Sequence, residues 1–569
     1  MADSRTLGEL ATRVSKLGRG NVSITILNTS NSSGSSNATL SQLLAVLASL
    51  RSSEACSEEG ITADDNDDEN VAAASSELGR AVVRVIEPVG TVTAVPESDR
   101  GLWLDQNDRT KTYNQVTQHC SAVADTGIQI LETLSNKQHQ IIPPGKLRRR
   151  FDDDILLALV GFTDSTHDDW ATAALSVRAA SLLRSQLSDD EATKSKFIVE
   201  AILQHYLRPL FSKSKPSSVT ASGRKAEYVD RSSTHHRPED ESHETKPWKY
   251  VDFRAIPAVS WAVHEADENL IAQHWPLFIP VLMTLVDDST TSIRQRGLLA
   301  LTQFLAKFPS KTLRDTGLGK VFEETIFPTL SYLPSITPEA ESLLLLPPAY
   351  SALLCLASKQ QQQPSPQKTK LLDKLLREGI FTGYFYAKAH VRIVEVLCQQ
   401  AALVIGQMGI HAVKHLKDLI PMISSIMIDP FAPACPATLV SAIQALQAIL
   451  ANCWPRIASS GGGPWQDEII NALVLCWLNW HEEKEEEPPK NSRGSSSDAA
   501  AAAMVEQELV KSARALAGIL KREAAATTAR GDDDSGDESS DESGDGDLNK
   551  RVAPLVEKEP SLRRLFFSP

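Results

Sequence analysis

The sequence predicts an all-α chain built from stacked amphipathic helix pairs, and three observations carry that prediction. From Trp275 to Pro309 two apolar segments recur every three to four residues: Leu277, Phe278, Val281, Leu282 and Leu285 before the acidic turn at Asp287 and Asp288, then Ile293, Leu298, Leu301, Phe304 and Leu305 after it. Aromatic residues make up only 6% of the chain while Leu, Ala and Ile dominate its apolar segments, which favours helices over sheets. Similar pairs follow downstream, and such a pair cannot bury its apolar face without stacked neighbours.

Taken in order, residues 1–150 read as an N-terminal helical region. Its opening is amphipathic at Leu7, Leu10, Val14 and Leu17, and a second apolar segment runs from Leu40 to Leu50. The stretch 51–79, with its DDNDDEN run, is too poor in apolar residues to order itself and is expected to be a disordered insertion. Helical spacing returns at Val116, Val123, Ile128, Ile130 and Leu134 and stops at Pro143 and Pro144. A helical block covers 151–211. The polar segment 212–246 reads as a flexible linker that splits the sequence of the stack.

Residues 247–526 are the repeat region, with helix pairs expected at 276–286 with 292–305, 319–333 with 338–357, 369–383 with 389–408, 409–428 with 436–452, and 464–480 with 501–525. Thr337, Pro338 and Glu339 form an N-terminal helix signature, in which Thr is expected to cap free amides. The order of apolar helix, Asp turn, Ile293-Arg294, small Gly297 and second helix resembles a HEAT repeat. The fold class is therefore an irregular HEAT-like α-solenoid with disordered insertions, a loop near 482–500 and an acidic disordered tail at 527–569.

Charge and cysteine usage narrow the function classes. The formal net charge is −14, but the run from Gly531 to Asp547 holds nine acidic residues and no basic one, so the remainder is nearly neutral. Direct nucleic-acid binding through a broad basic face is not expected. The seven cysteines are widely spaced and sit mostly in apolar segments, as reduced core residues do. The N-terminus lacks a basic region followed by an apolar stretch, and the best membrane candidate, Leu270 to Val286, is interrupted by Gln273, His274, Pro276 and Pro280. A soluble chain of the cytoplasm and/or nucleus is expected, with no membrane contact.

Catalytic signatures are missing from the sequence: it has no phosphate-cradling glycine loop, nucleophile elbow, HExxH or paired CxxC. No enzyme activity and no cofactor are expected. Asp152, Asp153, Asp154, Asp164, His167, Asp168 and Asp169 have the composition of a metal site, but both clusters precede apolar helical runs, where acidic residues act as caps. His235, His236 and His243 lack metal-motif spacing. Ser535 and Ser539 stand three residues before Glu538 and Glu542, the pattern acidophilic kinases read, and are candidate phosphorylation sites.

Several phrases are more specific than a HEAT pattern: LFIPVLMTLVDD with IRQRG, FPTLSYLPSITPEAESLLLLPPAYSALL, REGIF, GIHAVKHLKDLIPMISSIMIDPF and ALQAILANCWPRI. Over residues 250–480 they resemble the fungal branch of the Tel-two-interacting protein two family, the smallest subunit of the Triple-T cochaperone complex. That resemblance implies an adaptor that binds Tel-two-interacting protein one and, through it, the Tel-two protein. It further implies indirect work with the ninety-kilodalton heat-shock chaperone machinery on phosphatidylinositol-kinase-related kinases, and so on DNA-damage, telomere and growth signalling. Candidate partner contacts inside these phrases are Lys414, His415, Lys417, Asp418, Asp429, Phe431, Trp454 and Arg456, since Trp and Arg are enriched at interface hot spots. Arg294 and Asp287 read as braces of the repeat itself. Another HEAT scaffold, a nuclear transport receptor or a phosphatase scaffold, is the alternative; uniform repeats would distinguish it.

Overall fold

The computed structural model describes residues 41, 43–48, 50, 65–86, 106–141, 151–187, 191–212, 214, 245–360, 366–459, 463–486, 496–528 and 546–567. Among them there are helices and no strands. They fall into two compact units, the first ending at Asp288 and including Lys307–Thr312, the second comprising Ser289–Ala306 and the chain from Leu313 onward. The division passes through the Trp275 to Pro309 segment, between its two helices.

The first unit contains α1 (Asp65–Ile86), α2 (Gln106–Ile141), α3 (Asp153–Val160) and α4 (Ala173–Leu187). Next, α5 starts at Glu191–Lys196, widens to a π-helical stretch Phe197–Leu207 and closes as Arg208–Phe211; α6 (Pro247–Tyr250), α7 (Ala255–Glu265) and α8 (Glu268–Asp287) complete it. Helices α1 to α4 pack on one another, and α3 carries the packing on to α5 and α7. The core holds Leu78, Val82, Ile86, Ile128, Leu131, Ile155, Leu159, Leu183 and Ile202. Asp267 caps α8, its carboxylate accepting from the Leu270 amide at 2.8 Å.

Two expectations are corrected here. Residues 65–79 of the expected disordered insertion belong to α1. Its alanine-rich centre is a strong helix former, and the apolar face at Leu78, Val82, Val83 and Ile86 is buried, which supplies what the acidic start lacks. Residues 51–64 lie outside the described residues. The Asp152 side chain makes no capping bond to α3 and instead meets Arg80 Nε at 2.8 Å. Asp153 and Asp154 do occupy the first turn of α3, where negative charge complements the helix dipole. Asp164 organises its own turn, accepting from the Thr166 and His167 amides at 3.1 and 3.2 Å and meeting His167 Nδ1 at 2.9 Å. No group of three metal-ligating side chains is present among the described residues.

The polar segment 212–246 is pinned at its ends. Ser214 Oγ donates to the Thr245 carbonyl at 2.5 Å and accepts from Trp248 Nε1 at 3.2 Å. Trp248 is buried and stacks on Phe211 at 4.9 Å between centroids. Beside it, the buried Asp288 carboxylate receives Lys246 Nζ and Lys249 Nζ, each at 3.1 Å. The rest of the segment, with His235, His236 and His243, lies outside the described residues.

The second unit contains α9 (Thr291–Lys307, counted to Ala306), α10 (Ser310–Thr316, counted from Leu313), α11 (Leu318–Ile326, continued by a 3₁₀ turn Phe327–Ser331) and α12 (Glu339–Lys359). Then come α13, composed of Pro366–Lys374, a π-helical Leu375–Phe381 and Thr382–Ala387, and α14 (Val391–Met408). Next, α15 is a 3₁₀ segment Gly409–His415 running into Leu416–Met427, followed by α16 (Pro436–Ala458), α17 (Gly463–Glu486), α18 (Ser496–Thr528), α19 (Gly546–Lys558) and α20 (Leu562–Phe567). Helices α12, α14, α16 and α18 lie side by side in one layer, while α11, α13, α15 and α17 pair with them in a second. This two-layer, sequential stacking is the HEAT-like arrangement expected of the repeat region.

Three features of this unit differ from the sequence reading. Thr337 does not cap α12: the residue before its first turn is Pro338, without a side-chain capping bond, and the Glu341 and Ser342 amides turn to the Pro338 carbonyl at 3.0 Å. The chain end is not wholly disordered, because α19 and α20 fold back on α18 and bury Val552, Leu562 and Leu565. The acidic run at 529–545, with Ser535 and Ser539, lies outside the described residues. The expected loop near 482–500 is narrower, since α17 reaches Glu486 and α18 begins at Ser496.

Helix α8, helix α12, the α14–α15 run and helix α16 are each long and apolar enough to cross a bilayer. Their apolar windows are 50–61% buried inside the packing, the use a helix stack makes of such segments. Among the described residues the six cysteines form no disulfide. Cys398, Cys453 and Cys476 are buried, and burial pushes each thiol up to about 12.

Candidate partner-binding surface

The surface features sit at the edges of the second unit's two layers, so the register of its helices decides which residues meet. Thr438 Oγ1 lies 3.4 Å from the Val391 carbonyl, which places the starts of α14 and α16 side by side. These helices are therefore parallel, and α15 runs antiparallel between them in sequence. One edge of the stack carries the short turns α11–α12, α13–α14 and α15–α16. The other carries the starts of α13, α15 and α17 and the ends of α12, α14 and α16.

Six of the eight sequence-predicted contacts lie on the second edge. Asp373 on α13 holds two of them: Lys414 Nζ at 2.5 Å and His415 Nε2 at 3.0 Å. Burial works against ionisation of Asp373, but hydrogen bonds from His415 and Lys414 outweigh it and hold the carboxyl below the usual carboxylate range. His415 is buried, with its ring edge-on to Phe381 at 6.2 Å. These two residues brace α15 on α13, as Lys374 braces α13 on α11 through Glu323 at 2.8 Å and the Phe327 ring at 4.0 Å. Lys417, Asp418 and Arg456 are exposed and form no ion pair among the described residues. Trp454 is 40% exposed near the end of α16.

Asp429 and Phe431 lie on the first edge, in the α15–α16 turn. The Phe431 amide donates to Asp429 Oδ1 at 2.9 Å, an Asx turn that leaves the ring 82% exposed. Eighteen residues of α16 separate its first turn from Trp454, roughly 27 Å at the helical rise, so Phe431 and Trp454 do not share a contact patch. Of the residues read as braces, Arg294 stacks over the Tyr332 ring at 4.5 Å within the second unit.

Sequence reasoning missed the most exposed aromatic pair. Phe385 and Tyr386, 71% and 63% exposed, close α13 edge-to-face at 5.1 Å, followed by the exposed Lys388, Val391 and Arg392. Ile336 protrudes from the α11–α12 turn on the same edge. Helical spacing counts these residues as apolar and cannot say that the turn leaves them uncovered.

A crystal structure of importin beta aligns over 99% of this chain and 82% of its own, at TM-score 0.34 and 12% identity, too distant a likeness to carry an argument. Residues 155–434 match the model of the Tti2 family, a range that runs from α3 to the α15–α16 turn. This is a scaffold-type family whose members are subunits of the Triple-T cochaperone complex. With the matched segment including residues of both units, the chain belongs to the Tti2 family.

Proposed function

We propose that this chain is a non-catalytic adaptor that binds Tel-two-interacting protein one and, through it, the Tel-two protein. In that role it supports maturation of phosphatidylinositol-kinase-related kinases by the ninety-kilodalton heat-shock chaperone machinery, and hence DNA-damage, telomere and growth signalling. The family match over residues 155–434 is the observation that carries this reading. The stacked helix pairs support it physically, because a long two-layer surface can hold a second helical-repeat protein without covalent chemistry. The alternative of a transport receptor or phosphatase scaffold finds no support in the family match. We assign residence to the cytoplasm and/or nucleus, which fractionation with the kinase clients tests.

Within the adaptor, Lys417, Asp418, Trp454 and Arg456 are the proposed partner contacts on one edge, and Asp429 with Phe431 on the other. Lys414 and His415 act by fixing the position of α15 through Asp373. The test is co-purification of Tel-two-interacting protein one with the full chain carrying D418K and R456E together, compared with F431A. A loss of partner in the charge-reversed chain, with the helical circular dichroism unchanged, places the contact on the edge that carries the α15 start and the α16 end. Retention in both variants overturns this assignment of contacts.

A further inference from the structure

The α13–α14 turn presents apolar and cationic groups together on a fixed backbone. Phe385 and Tyr386 leave α13 exposed and touch each other edge-to-face, while the preceding Gly383 and following Ala387 are buried. A side chain at Gly383 would meet Leu397 of α14 at 3.3 Å, so this glycine permits the close approach that fixes the turn. His390 Nδ1 lies 3.2 Å from Glu339 Oε2 on α12, and the Val391 carbonyl faces Thr438 on α16. Tyr384 Oη lies 3.0 Å from Ser425 Oγ on α15. Three neighbouring helices therefore hold the turn in place.

On that backbone Lys388 and Arg392 are exposed and form no ion pair among the described residues. Glu339, the carboxylate that reaches the turn, is engaged by His390. The result is two cations that follow an uncovered aromatic pair closely in sequence, on either side of the exposed Val391 along the chain. Such a combination matches a ligand that brings carboxylates and apolar side chains at once, since aromatic surfaces gain by burial and the paired charges set its polarity. The chain's own run from Gly531 to Asp547 supplies the acid but contains no aliphatic or aromatic residue, so it does not match the apolar half of the site.

We propose that the α13–α14 turn is a docking site for an acidic amphipathic segment of a partner protein, with Phe385 and Tyr386 as apolar anchors and Lys388 and Arg392 as charge anchors. The proposal rests on the adaptor reading only in taking the ligand to be a protein segment. A site of this kind binds one linear segment and leaves the long helical faces free for a second protein.

The test is fluorescence anisotropy on the full chain with a fluorescein-labelled amphipathic peptide, Leu and Phe on one helical face and Glu on the other. Its counterpart with Lys in place of Glu is the control. The acidic probe is expected to bind, the basic one not, and both K388E/R392E and F385A/Y386A are expected to weaken binding by about tenfold or more. Variants that bind like the unaltered chain, or equal binding of both probes, overturn the proposal. If neutralising the acidic residues of 532–547 tightens the acidic probe about tenfold, the occupant is the chain's own tail and the partner assignment fails. Failure of the adaptor reading is read separately, as loss of the larger helical-repeat partners from the purified chain.

Discussion

The Asp288 cluster gives the sharpest stability prediction, because its energetics are set by burial. The Asp288 side chain has no exposed surface, and the side chains of Lys246 and Lys249, which reach it at 3.1 Å, keep only 12% and 10% of theirs. Replacing Asp288 with Ala removes the carboxylate that two nearly buried ammonium groups share. Breaking a buried pair in this way costs about 3 to 5 kcal/mol. The loss falls on α6 and the end of α8, so hydrogen exchange is the suitable assay. Amides of residues 247–251 and 281–287 are expected to exchange about a hundredfold to several thousandfold faster in D288A than in the unaltered chain. The combination D288L/K246M/K249M removes all three charges and is expected to recover most of the protection, since a well-packed apolar replacement avoids the desolvation cost. Protection in D288A within about tenfold of the unaltered chain would refute the reasoning.

Other predictions concern separate parts of the molecule. Replacing residues 217–242 with a short Gly-Ser linker is expected to change the unfolding midpoint by less than about 1 kcal/mol, because Ser214 and Thr245 already hold the ends together; urea titration checks it. Native alkylation followed by mass spectrometry is expected to leave Cys398, Cys453 and Cys476 unmodified at neutral pH, where thiols raised from 9.0 to about 12 hold about a thousandfold less thiolate. The Asp373 carboxyl is depressed in the fold, so its brace with Lys414 and His415 contributes above the ordinary carboxylate range and fades as pH falls through the folded value. D373A is therefore expected to cost about 1 kcal/mol at neutral pH and less in acid, since Lys414 is half-exposed and Asp373 partly so; pH-resolved thermal melts check it.

The helix pairs were legible because their apolar residues repeat at helical spacing, and the structure places a helix on each expected segment. Their layering followed from the same fact, since each pair has one face to bury. What spacing could not reach were effects set by tertiary partners. Asp152 and Thr337 carry the right chemistry for caps, yet Arg80 takes the first and the Pro338 carbonyl serves the helix start near the second. The acidic start of α1 reads as disordered until Leu78, Val82 and Ile86 find their neighbours. The short α20 is indistinguishable from a fraying end until Leu562 and Leu565 are seen buried.

The proposed contacts show the same division. Trp454, Arg456 and Phe431 were singled out by residue type, but the unbroken length of α16 puts Phe431 on the opposite edge from the other two. His415 and Lys414 read alike in the sequence, and Asp373, forty-two and forty-one positions away, engages both, with His415 buried and Lys414 still half-exposed. Phe385 and Tyr386 were passed over because sequence alone does not report exposure.

The central claim is that this chain is an adaptor between two larger helical-repeat proteins. The most direct test is affinity purification of the tagged chain from its native cell at moderate salt, followed by mass spectrometry. The account predicts recovery of Tel-two-interacting protein one and the Tel-two protein with a phosphatidylinositol-kinase-related kinase. Recovery instead of a small GTPase with varied cargo, or of a phosphatase catalytic subunit, would contradict it.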